Sequence, residues 1–158
     1  MLNKTMNNNF YPKRKPNRLK GYDYSTPGSY FITICTQNRK KLLSEIAGDG
    51  LNITLELTEC GRVVDKAVNQ ISVRYPSITV DNYVIMPNHI HLLLSVIASD
   101  GRRDASPTVD SAMGWFKYRI TKDINLVLGT VGQKCFQRSF HDHIVRTDSD
   151  YEKIWSYI

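Results

Sequence analysis

Two strand-like segments separated by only two residues set the strongest constraint on what this chain can fold into. Ile78–Met86 is rich in β-branched and aromatic side chains, and His89–Val96 is apolar at almost every position. Pro87 and Asn88, which separate them, interrupt the pattern and leave room only for a tight turn. The spacing therefore predicts a central antiparallel pair of strands.

The remaining apolar patterns place helices and further strands around this pair. Apolar residues recur at helical spacing in two long segments, and an aspartate that can act as an N-cap begins a third. The predicted helices are Glu59–Arg74, Val109–Asn125 and a last helix from Asp148 to Ile158, and the predicted strands are Ser29–Thr36 and Phe136–Phe140, with Leu51–Leu57 either a short strand or the lead into the first helix. The order predicts an α+β fold, a ferredoxin-like sandwich in which an antiparallel sheet carries helices mainly on one face.

Length and composition exclude several classes of protein. The 158 residues, 41% of them hydrophobic, suffice for one domain with a hydrophobic core. No apolar run approaches the roughly 18 residues of a membrane span, and the start of the chain has no apolar segment of the kind found in secretory signals. Cys35, Cys60 and Cys135 have neither the number nor the spacing of a disulfide framework or a zinc site, so we expect a reducing, cytoplasmic location.

The excess of positive charge is confined to the start of the chain. The formal net charge is +6, and residues 1–20 contain six of the 21 basic residues and no acidic one. We therefore expect a basic, flexible arm over 1–20 and a folded domain over 21–158. Such an arm either contacts nucleic acid or serves as a solubilising tail. The residues expected to track a nucleic-acid backbone are Lys13, Arg14, Lys15, Arg18 and Lys20 of the arm and Arg39, Lys40 and Lys41 of a later turn.

Two His-x-His patterns carry the clearest chemical signal. His89 and His91 are expected on one face of their strand, about 7 Å apart, where two imidazoles can converge on one divalent ion. Taken alone, this pattern more often reflects two partly buried, hydrogen-bonded histidines. His141 and His143, with Asp142 between them, either support the first pair or make structural hydrogen bonds at a strand end.

The last helix contains two tyrosines with different expected surroundings. Tyr151 lies in an apolar stripe with Ile154, Trp155 and Ile158, which predicts that it faces the core. Tyr157 lies on the flank of this stripe, about 110° from its centre. Its hydroxyl is therefore the one that can reach an active site, although a phenol needs a metal or a base to act as a nucleophile.

Together these motifs resemble those of a transposase family. Val84–Leu94, with two histidines around one hydrophobic residue, is similar to the HUH signature of single-tyrosine transposases. Over roughly residues 18–158 the chain resembles the REP-associated tyrosine transposases and their insertion-sequence relatives. The other segments that carry this resemblance are Gly28–Thr33, Gly114–Thr121, Gln137–Arg146 and Asp150–Ile158.

The resemblance implies the same ferredoxin-like fold and a specific activity, the cleavage and rejoining of single-stranded DNA next to a hairpin through a 5′-phosphotyrosine intermediate. It maps His89 and His91 onto the ligands of Mg²⁺ or Mn²⁺, and Tyr157 onto the nucleophile. The implied partner is single-stranded or hairpin DNA, with no membrane, bound by a monomer or a homodimer. In the family an amide one turn after the tyrosine often completes the metal site, so the last helix, which stops at Ile158, is expected to be truncated.

Two other functions stay open at this point. A protein of the same fold can bind hairpin DNA or RNA without cutting it, and the short last helix favours this alternative. A metal-dependent nuclease or phosphodiesterase can instead use an activated water molecule. A covalent adduct between protein and DNA distinguishes the transposase from both.

Overall fold

The computed structural model describes residues 21–48, 52–98 and 108–158. Within these ranges it has six strands and three helices, with a short 3₁₀ turn at Gln37–Arg39. The strands are β1 (Gly28–Cys35), β2 (Ser44–Gly48), β3 (Ile53–Leu57), β4 (Ile78–Met86), β5 (His89–Val96) and β6 (His141–Val145), and the helices are α1 (Glu59–Arg74), α2 (Val109–Val127) and α3 (Asp148–Tyr157). None of the described helices is both long and apolar enough to cross a membrane.

The predicted central pair is a hairpin of β4 and β5. Pro87 and Asn88 form its turn, and Met86 pairs with His89 across it. β5 pairs with β1, and β1 pairs with β6, so the sheet has the order β4-β5-β1-β6 with every neighbouring pair antiparallel. α1 connects β1 to β4 by way of the small β2–β3 hairpin, and α2 connects β5 to β6. These connections confirm the predicted ferredoxin-like α+β fold.

Alternation along the strands separates the two faces of this sheet. Tyr30, Ile32 and Ile34 of β1 are fully buried and pack with α1 and α2 in one hydrophobic core. The intervening side chains, among them Phe31 and Thr33, point to the opposite face. We call this second face the open face. The side chains of β5 also alternate between the two faces, and His91 and Leu93, which lie on the open face, are buried there.

α3 lies over the open face rather than in the layer of α1 and α2. Thr147 caps it, because Thr147 Oγ1 accepts a hydrogen bond from the amide of Asp150 at 3.1 Å, and the predicted N-cap, Asp148, is instead the first helical residue. No residue of α3 is buried, and Trp155 is 46% exposed, so the predicted core-facing stripe is wrong. The apolar stripe of α3 rests on the open face of the sheet, and the opposite side of the helix is in contact with water.

The strand predicted at Phe136–Phe140 is wrong. The fourth strand of the sheet, β6, begins at His141, directly after the predicted segment. Within that segment, Phe136 makes an isolated bridge to Thr36. Phe136 and Phe140 are buried because this segment packs against the core without joining the sheet. Apolar side chains in a loop therefore imitate the signal of a short strand.

A separate two-stranded hairpin, formed by β2 and β3, is only half predicted from the sequence. β3 corresponds to the strand alternative for Leu51–Leu57, whereas β2 has no counterpart among the predicted elements. Ile46 is 63% exposed and Ile53 is 70% exposed. Because both strands are largely in contact with water, little apolar alternation marks them in the sequence.

Candidate active site

The β4–β5 hairpin places two histidines on the open face of the sheet. His89 follows the turn directly, and His91 lies two residues further, paired with Thr33 of β1. The centroids of the two imidazole rings are 4.6 Å apart, at an interplanar angle of 75°. The rings therefore lean towards each other, since alternate positions of a strand are about 7 Å apart.

Each histidine of the pair has a hydrogen-bond partner at Nδ1. His89 Nδ1 lies 2.7 Å from Asn88 Oδ1, and His91 Nδ1 lies 2.9 Å from Thr33 Oγ1. An amide oxygen accepts, so neutral His89 carries its proton at Nδ1 and its lone pair at Nε2. With the Thr33 hydroxyl as acceptor, His91 has the same tautomer. Both rings then present Nε2 as a donor atom, which is how outer hydrogen bonds orient histidines that bind metals.

Burial keeps both imidazoles neutral near neutral pH. Desolvation lowers the pKa of His91 to about 4, and the neighbouring His89 adds to this effect. Desolvation also lowers the pKa of His89, with a further contribution from the positive charge of Arg39. A histidine must be deprotonated at the nitrogen that binds a metal, so this environment suits coordination.

α3 brings Tyr157 to the histidine pair. The centroid of its ring lies 5.5 Å from that of His91 and 6.3 Å from that of Phe31. Phe31 in turn stacks on His91 with a centroid separation of 5.0 Å. Tyr157 is 69% exposed, and none of the described residues forms a hydrogen bond with its hydroxyl. The hydroxyl is therefore accessible to a substrate at a position beside the histidines.

Two polar contacts from β4 hold the middle of α3. The Tyr151 hydroxyl donates a hydrogen bond to Asp81 Oδ2 at 3.0 Å. Asn82 Nδ2 donates to the carbonyl oxygen of Trp155 at 3.2 Å. Both β4 residues lie at the irregularity where the pairing of β4 with β5 shifts register, and such bulges commonly redirect side chains. The irregularity in β4 therefore positions the helix that carries Tyr157.

Tyr151 has a structural role that differs from the predicted one. It is half-buried rather than in the core, and its ring stacks on Trp155 with centroids 6.0 Å apart. Burial, followed by the hydrogen bond to Asp81, raises the pKa of Tyr151. Its hydroxyl is occupied and its phenolate is disfavoured, which leaves Tyr157 as the tyrosine of α3 that is available to react.

The second His-x-His pattern makes a structural contact. His143 Nε2 lies 2.8 Å from Asp150 Oδ2 in the first turn of α3. His141 is exposed on β6. His143 thus joins β6 to α3. In the described part of the chain, neither His141 nor His143 forms a hydrogen bond with His89 or His91, the pair that this second pattern is predicted to support.

The basic residues predicted to contact nucleic acid fall into two groups. Arg39, Lys40 and Lys41 are exposed at the 3₁₀ turn and directly after it. Arg39 is close enough to His89 for its charge to act on the imidazole. The predicted arm over 1–20 lies outside the described residues, with its candidate residues Lys13, Arg14, Lys15, Arg18 and Lys20.

The donor atoms fit a divalent ion that completes its coordination with oxygen atoms from solvent or substrate. Two neutral imidazoles on one face suit Mn²⁺ and, less readily, Mg²⁺. Within 21–48, 52–98 and 108–158, no group of three or more His, Cys, Asp or Glu side chains could hold a metal. An ion held by the two imidazoles would take its other ligands from water and phosphate oxygens, which both ions accept readily.

Several residues that build the site are not identified by sequence reasoning, among them Phe31, Thr33 and Asp81. Phe31 and Thr33 alternate with the apolar residues of β1, so the period of two already places them on the open face. Their position beside His91 depends on the pairing of β1 with β5, which the local pattern does not specify. For Asp81 the available signal is a charged residue inside an otherwise strong strand, since aspartate is depleted in strands.

Comparison with known proteins finds relatives in sequence and in fold. No family model matches the chain. An uncharacterized protein of Haemophilus influenzae (strain Rd) is 30% identical over 162 residues, which cover 92% of this chain and 86% of that protein. A REP-associated tyrosine transposase, solved bound to a REP hairpin, superposes with a TM-score of 0.55 at 20% identity, over 87% of this chain and 67% of the other. A protein assigned as a transposase from Deinococcus radiodurans R1 superposes with a TM-score of 0.52 at 14% identity, over 89% of this chain and 93% of the other.

The two kinds of similarity support different statements. The match to the Haemophilus influenzae protein spans most of both chains and establishes a common family. The solved structures share less sequence and establish the fold. The chain therefore belongs to the same family as the Haemophilus influenzae protein and has the fold of the REP-associated tyrosine transposases, in agreement with the resemblance of its sequence motifs.

Proposed function

We propose that this protein is a metal-dependent transposase that cleaves and rejoins single-stranded DNA next to a hairpin, with Tyr157 as the nucleophile and His89 and His91 as metal ligands. Support for a DNA substrate comes from the structural neighbour that was solved with a REP hairpin. The proposed setting is the cytoplasm, where the buried thiols of Cys35, Cys60 and Cys135 stay reduced.

The observation that carries this proposal is the position of Tyr157 beside the histidine pair. An accessible tyrosine hydroxyl lies on a helix that crosses the open face, with its ring 5.5 Å from that of His91. A phosphodiester bound to an ion at the histidines would therefore lie near this hydroxyl. His89 and His91 of β5 and Tyr157 of α3, the three positions to which the resemblance assigns chemistry, thus lie in one small region.

The chemical step exchanges one phosphate ester for another. The Tyr157 oxygen attacks phosphorus in line, and the bond from phosphorus to the 3′ oxygen breaks as the bond to tyrosine forms. The proton lost by the phenol is balanced by the proton that the departing 3′ oxygen gains. The products are a 5′-phosphotyrosine and a 3′-hydroxyl. Because the phosphodiester is conserved in the adduct, a second 3′-hydroxyl can reverse the step and join two strands.

The chain's own residues prepare the site for this step. Asn88 and Thr33 hold the Nδ1 atoms of the histidines, and burial keeps the rings neutral. Phe31 fixes the ring of His91 by stacking. The chemistry that a divalent ion supplies at such a pair is polarisation of the scissile phosphate and stabilisation of the charge that develops in the transition state.

The test is a covalent adduct between the protein and a labelled hairpin with single-stranded flanks, formed with Mn²⁺ and detected on a denaturing gel. Tyr157→Phe should abolish the adduct while hairpin binding remains. Tyr118→Phe is the matched control, because Tyr118 of α2 is 67% exposed and Tyr157 is 69% exposed. The control should form the adduct as the wild type does.

Other outcomes assign one of the alternative functions. Binding of hairpins without an adduct, over a series of hairpins and metals, would make the protein a binding module. Cleavage that persists in Tyr157→Phe and leaves no adduct would indicate an activated water molecule as the nucleophile. An adduct that mass spectrometry assigns to Tyr151 would overturn the choice of tyrosine.

A further inference from the structure

A cleft lies between the 3₁₀ turn, α2 and the segment 132–139. It consists of two adjoining hollows of about 810 Å³ and 630 Å³, which share Gln37, Asn38 and Lys134. Volumes of this size are in the range of pockets that enclose small organic ligands. We call the two hollows together the basic cleft.

The basic cleft has a single sign of charge. Its described lining contains four cationic side chains and no acidic one; the cations are Lys40, Lys117, Lys134 and Arg138. Lys40, Lys134 and Arg138 are exposed. A concave surface lined by charge of one sign concentrates counter-ions, so the basic cleft favours an anionic ligand.

Backbone hydrogen bonds hold the floor of the basic cleft against the end of β1. The amide of Gln37 donates to the carbonyl oxygen of Cys135 at 2.8 Å, and the amide of Gln137 donates to that of Cys35 at 2.9 Å. Lys117 Nζ donates to the carbonyl oxygen of Arg138 at 2.8 Å. Lys117 therefore fixes the segment that carries Lys134 and Arg138, and the cleft is formed before a ligand arrives.

A buried amide side chain holds the other end of the same segment. Asn125 of α2 is 6% exposed, and its Nδ2 donates to the carbonyl oxygen of Gln133 at 3.0 Å. The amide of Gln133 donates back to Asn125 Oδ1 at 3.1 Å. Both backbone polar groups of Gln133 are thus held, which fixes the backbone directly before Lys134.

Backbone contacts link the basic cleft to the strand that carries the histidine pair. Cys35, which accepts from Gln137, is paired with His89 in the sheet. Thr36 donates through its amide to the carbonyl oxygen of Asn88 at 3.0 Å. Arg39 belongs to the turn that borders the cleft and acts electrostatically on His89. A DNA strand that leaves the histidines past Arg39 would therefore reach the turn that borders the cleft.

We propose that the basic cleft binds the backbone of the single-stranded DNA segment that adjoins the scissile phosphate, with Lys134 and Arg138 as its phosphate contacts. The proposal rests on the proposed function, because it takes the phosphate at the histidine pair as its starting point. The cleft supplies affinity and directs the flank; it takes no part in the chemical step. Because phosphates are contacted and base edges are not, binding there is insensitive to sequence.

The test compares two labelled DNA hairpins by fluorescence anisotropy, one blunt and one with a short oligothymidine extension, in EDTA so that no cleavage occurs. The cleft variant is the double substitution Lys134→Gln and Arg138→Gln, which spares Lys117 and its role in the fold. The control variant is Arg62→Gln with Lys66→Gln, two exposed cations of α1 outside the cleft. Circular dichroism of each variant checks that the fold is kept.

The cleft variant has two fewer cations to neutralise phosphates of the single-stranded extension. Each phosphate neutralised on a single strand contributes about 0.7 to the slope of log K against log salt concentration. The slope for the extended hairpin should therefore fall by about 1.4. The blunt hairpin should bind the cleft variant and the wild type alike, and the control variant should match the wild type on both hairpins. An unchanged slope on the extended hairpin, or an equal loss on both hairpins, would overturn the proposal. Adduct formation is measured separately, so a wild-type protein that binds the flank and forms no adduct would refute the proposed function and not the cleft.

Discussion

His91 and Tyr157 face each other on the open side of the sheet, with ring centroids 5.5 Å apart. His91 is 7% exposed, whereas Tyr157 is 69% exposed. The contact thus joins a shielded, neutral imidazole, suited to hold an ion, to an accessible phenol, suited to attack a phosphate. β5 contributes one of these residues and α3 the other, so the site is complete only when α3 is docked on the sheet.

Replacing either histidine of the pair by asparagine should remove metal binding and cleavage together. Asparagine at position 91 keeps a polar group near Thr33 but has no atom equivalent to Nε2. We expect the affinity for Mn²⁺, measured by electron paramagnetic resonance of the free ion, to fall about tenfold or more in His89→Asn and in His91→Asn. Cleavage of a hairpin substrate in the same preparations should fall to background.

The matched control for these variants is His141→Asn, because His141 is an exposed histidine of the same sheet. It should bind Mn²⁺ and cleave DNA as the wild type does. An unchanged Mn²⁺ affinity in either variant of the pair would show that the two histidines are not the ligands.

The metal-free protein should lose stability as the pH falls below about 6.5, the ordinary pKa of histidine. Burial lowers the pKa of His91 to about 4 in the folded chain, so between these two values the unfolded chain binds more protons. The free energy of unfolding therefore rises with pH across this window. Above it, the contribution of His91 no longer changes with pH. At about pH 5 the loss amounts to about 2 kcal/mol.

Urea titrations of the protein in EDTA, at neutral pH and at about pH 5, measure this loss. The variant His91→Asn should lack the part that comes from His91. The same loss in wild type and variant would assign it to other groups, such as the carboxylates.

Tyr151→Phe should weaken the attachment of α3 without removing the nucleophile. The change deletes the hydrogen bond to Asp81 Oδ2, which Ser95 also contacts, so the carboxylate keeps a partner. We expect the free energy of unfolding to fall by about 1 kcal/mol or less. The covalent adduct should still form. Complete loss of the adduct in a folded Tyr151→Phe protein would assign the chemistry to Tyr151.

Deletion of residues 1–17 should weaken DNA binding and leave the chemistry intact. The deletion removes Lys4, Lys13, Arg14 and Lys15. For each phosphate of a single strand that is no longer neutralised, the salt dependence of binding should fall by a slope of about 0.7. At saturating DNA the rate of adduct formation should equal that of the full chain. An unchanged slope would make the arm a solubilising tail.

The fold is largely predictable here because its central elements carry strong local signals. β4, β5 and α1 lie where periodicity and the Pro87–Asn88 turn place them. The two faces of β5 also follow from alternation, which puts His89 and His91 together. The strand predicted at Phe136–Phe140 fails for a physical reason: burial of apolar side chains in a loop leaves the same sequence pattern as burial in a strand.

The candidate site is less predictable, because it depends on which elements meet. The helical wheel separates Tyr151 from Tyr157 correctly but assumes that the apolar stripe of α3 faces the core. In the structure α1 and α2 occupy the core face, and α3 takes the open face instead. The contact of Phe31 with His91 likewise follows from the register of β1 against β5. Register and layer are properties of the whole chain that no short segment specifies.

The absence of buried residues in α3 separates the local stability of this helix from that of the domain. α1 and α2 bury residues in the core, so their amide protons exchange with solvent only when the core opens. Those of α3 should exchange through a local opening of lower free energy, in which Tyr157 would part from His91 while the sheet stays folded. The domain would then behave as a stable scaffold with a more weakly attached helix. On the proposed function, a DNA strand that touches both the histidines and Tyr157 would shift this local equilibrium towards the docked helix, so DNA binding should slow amide exchange in α3.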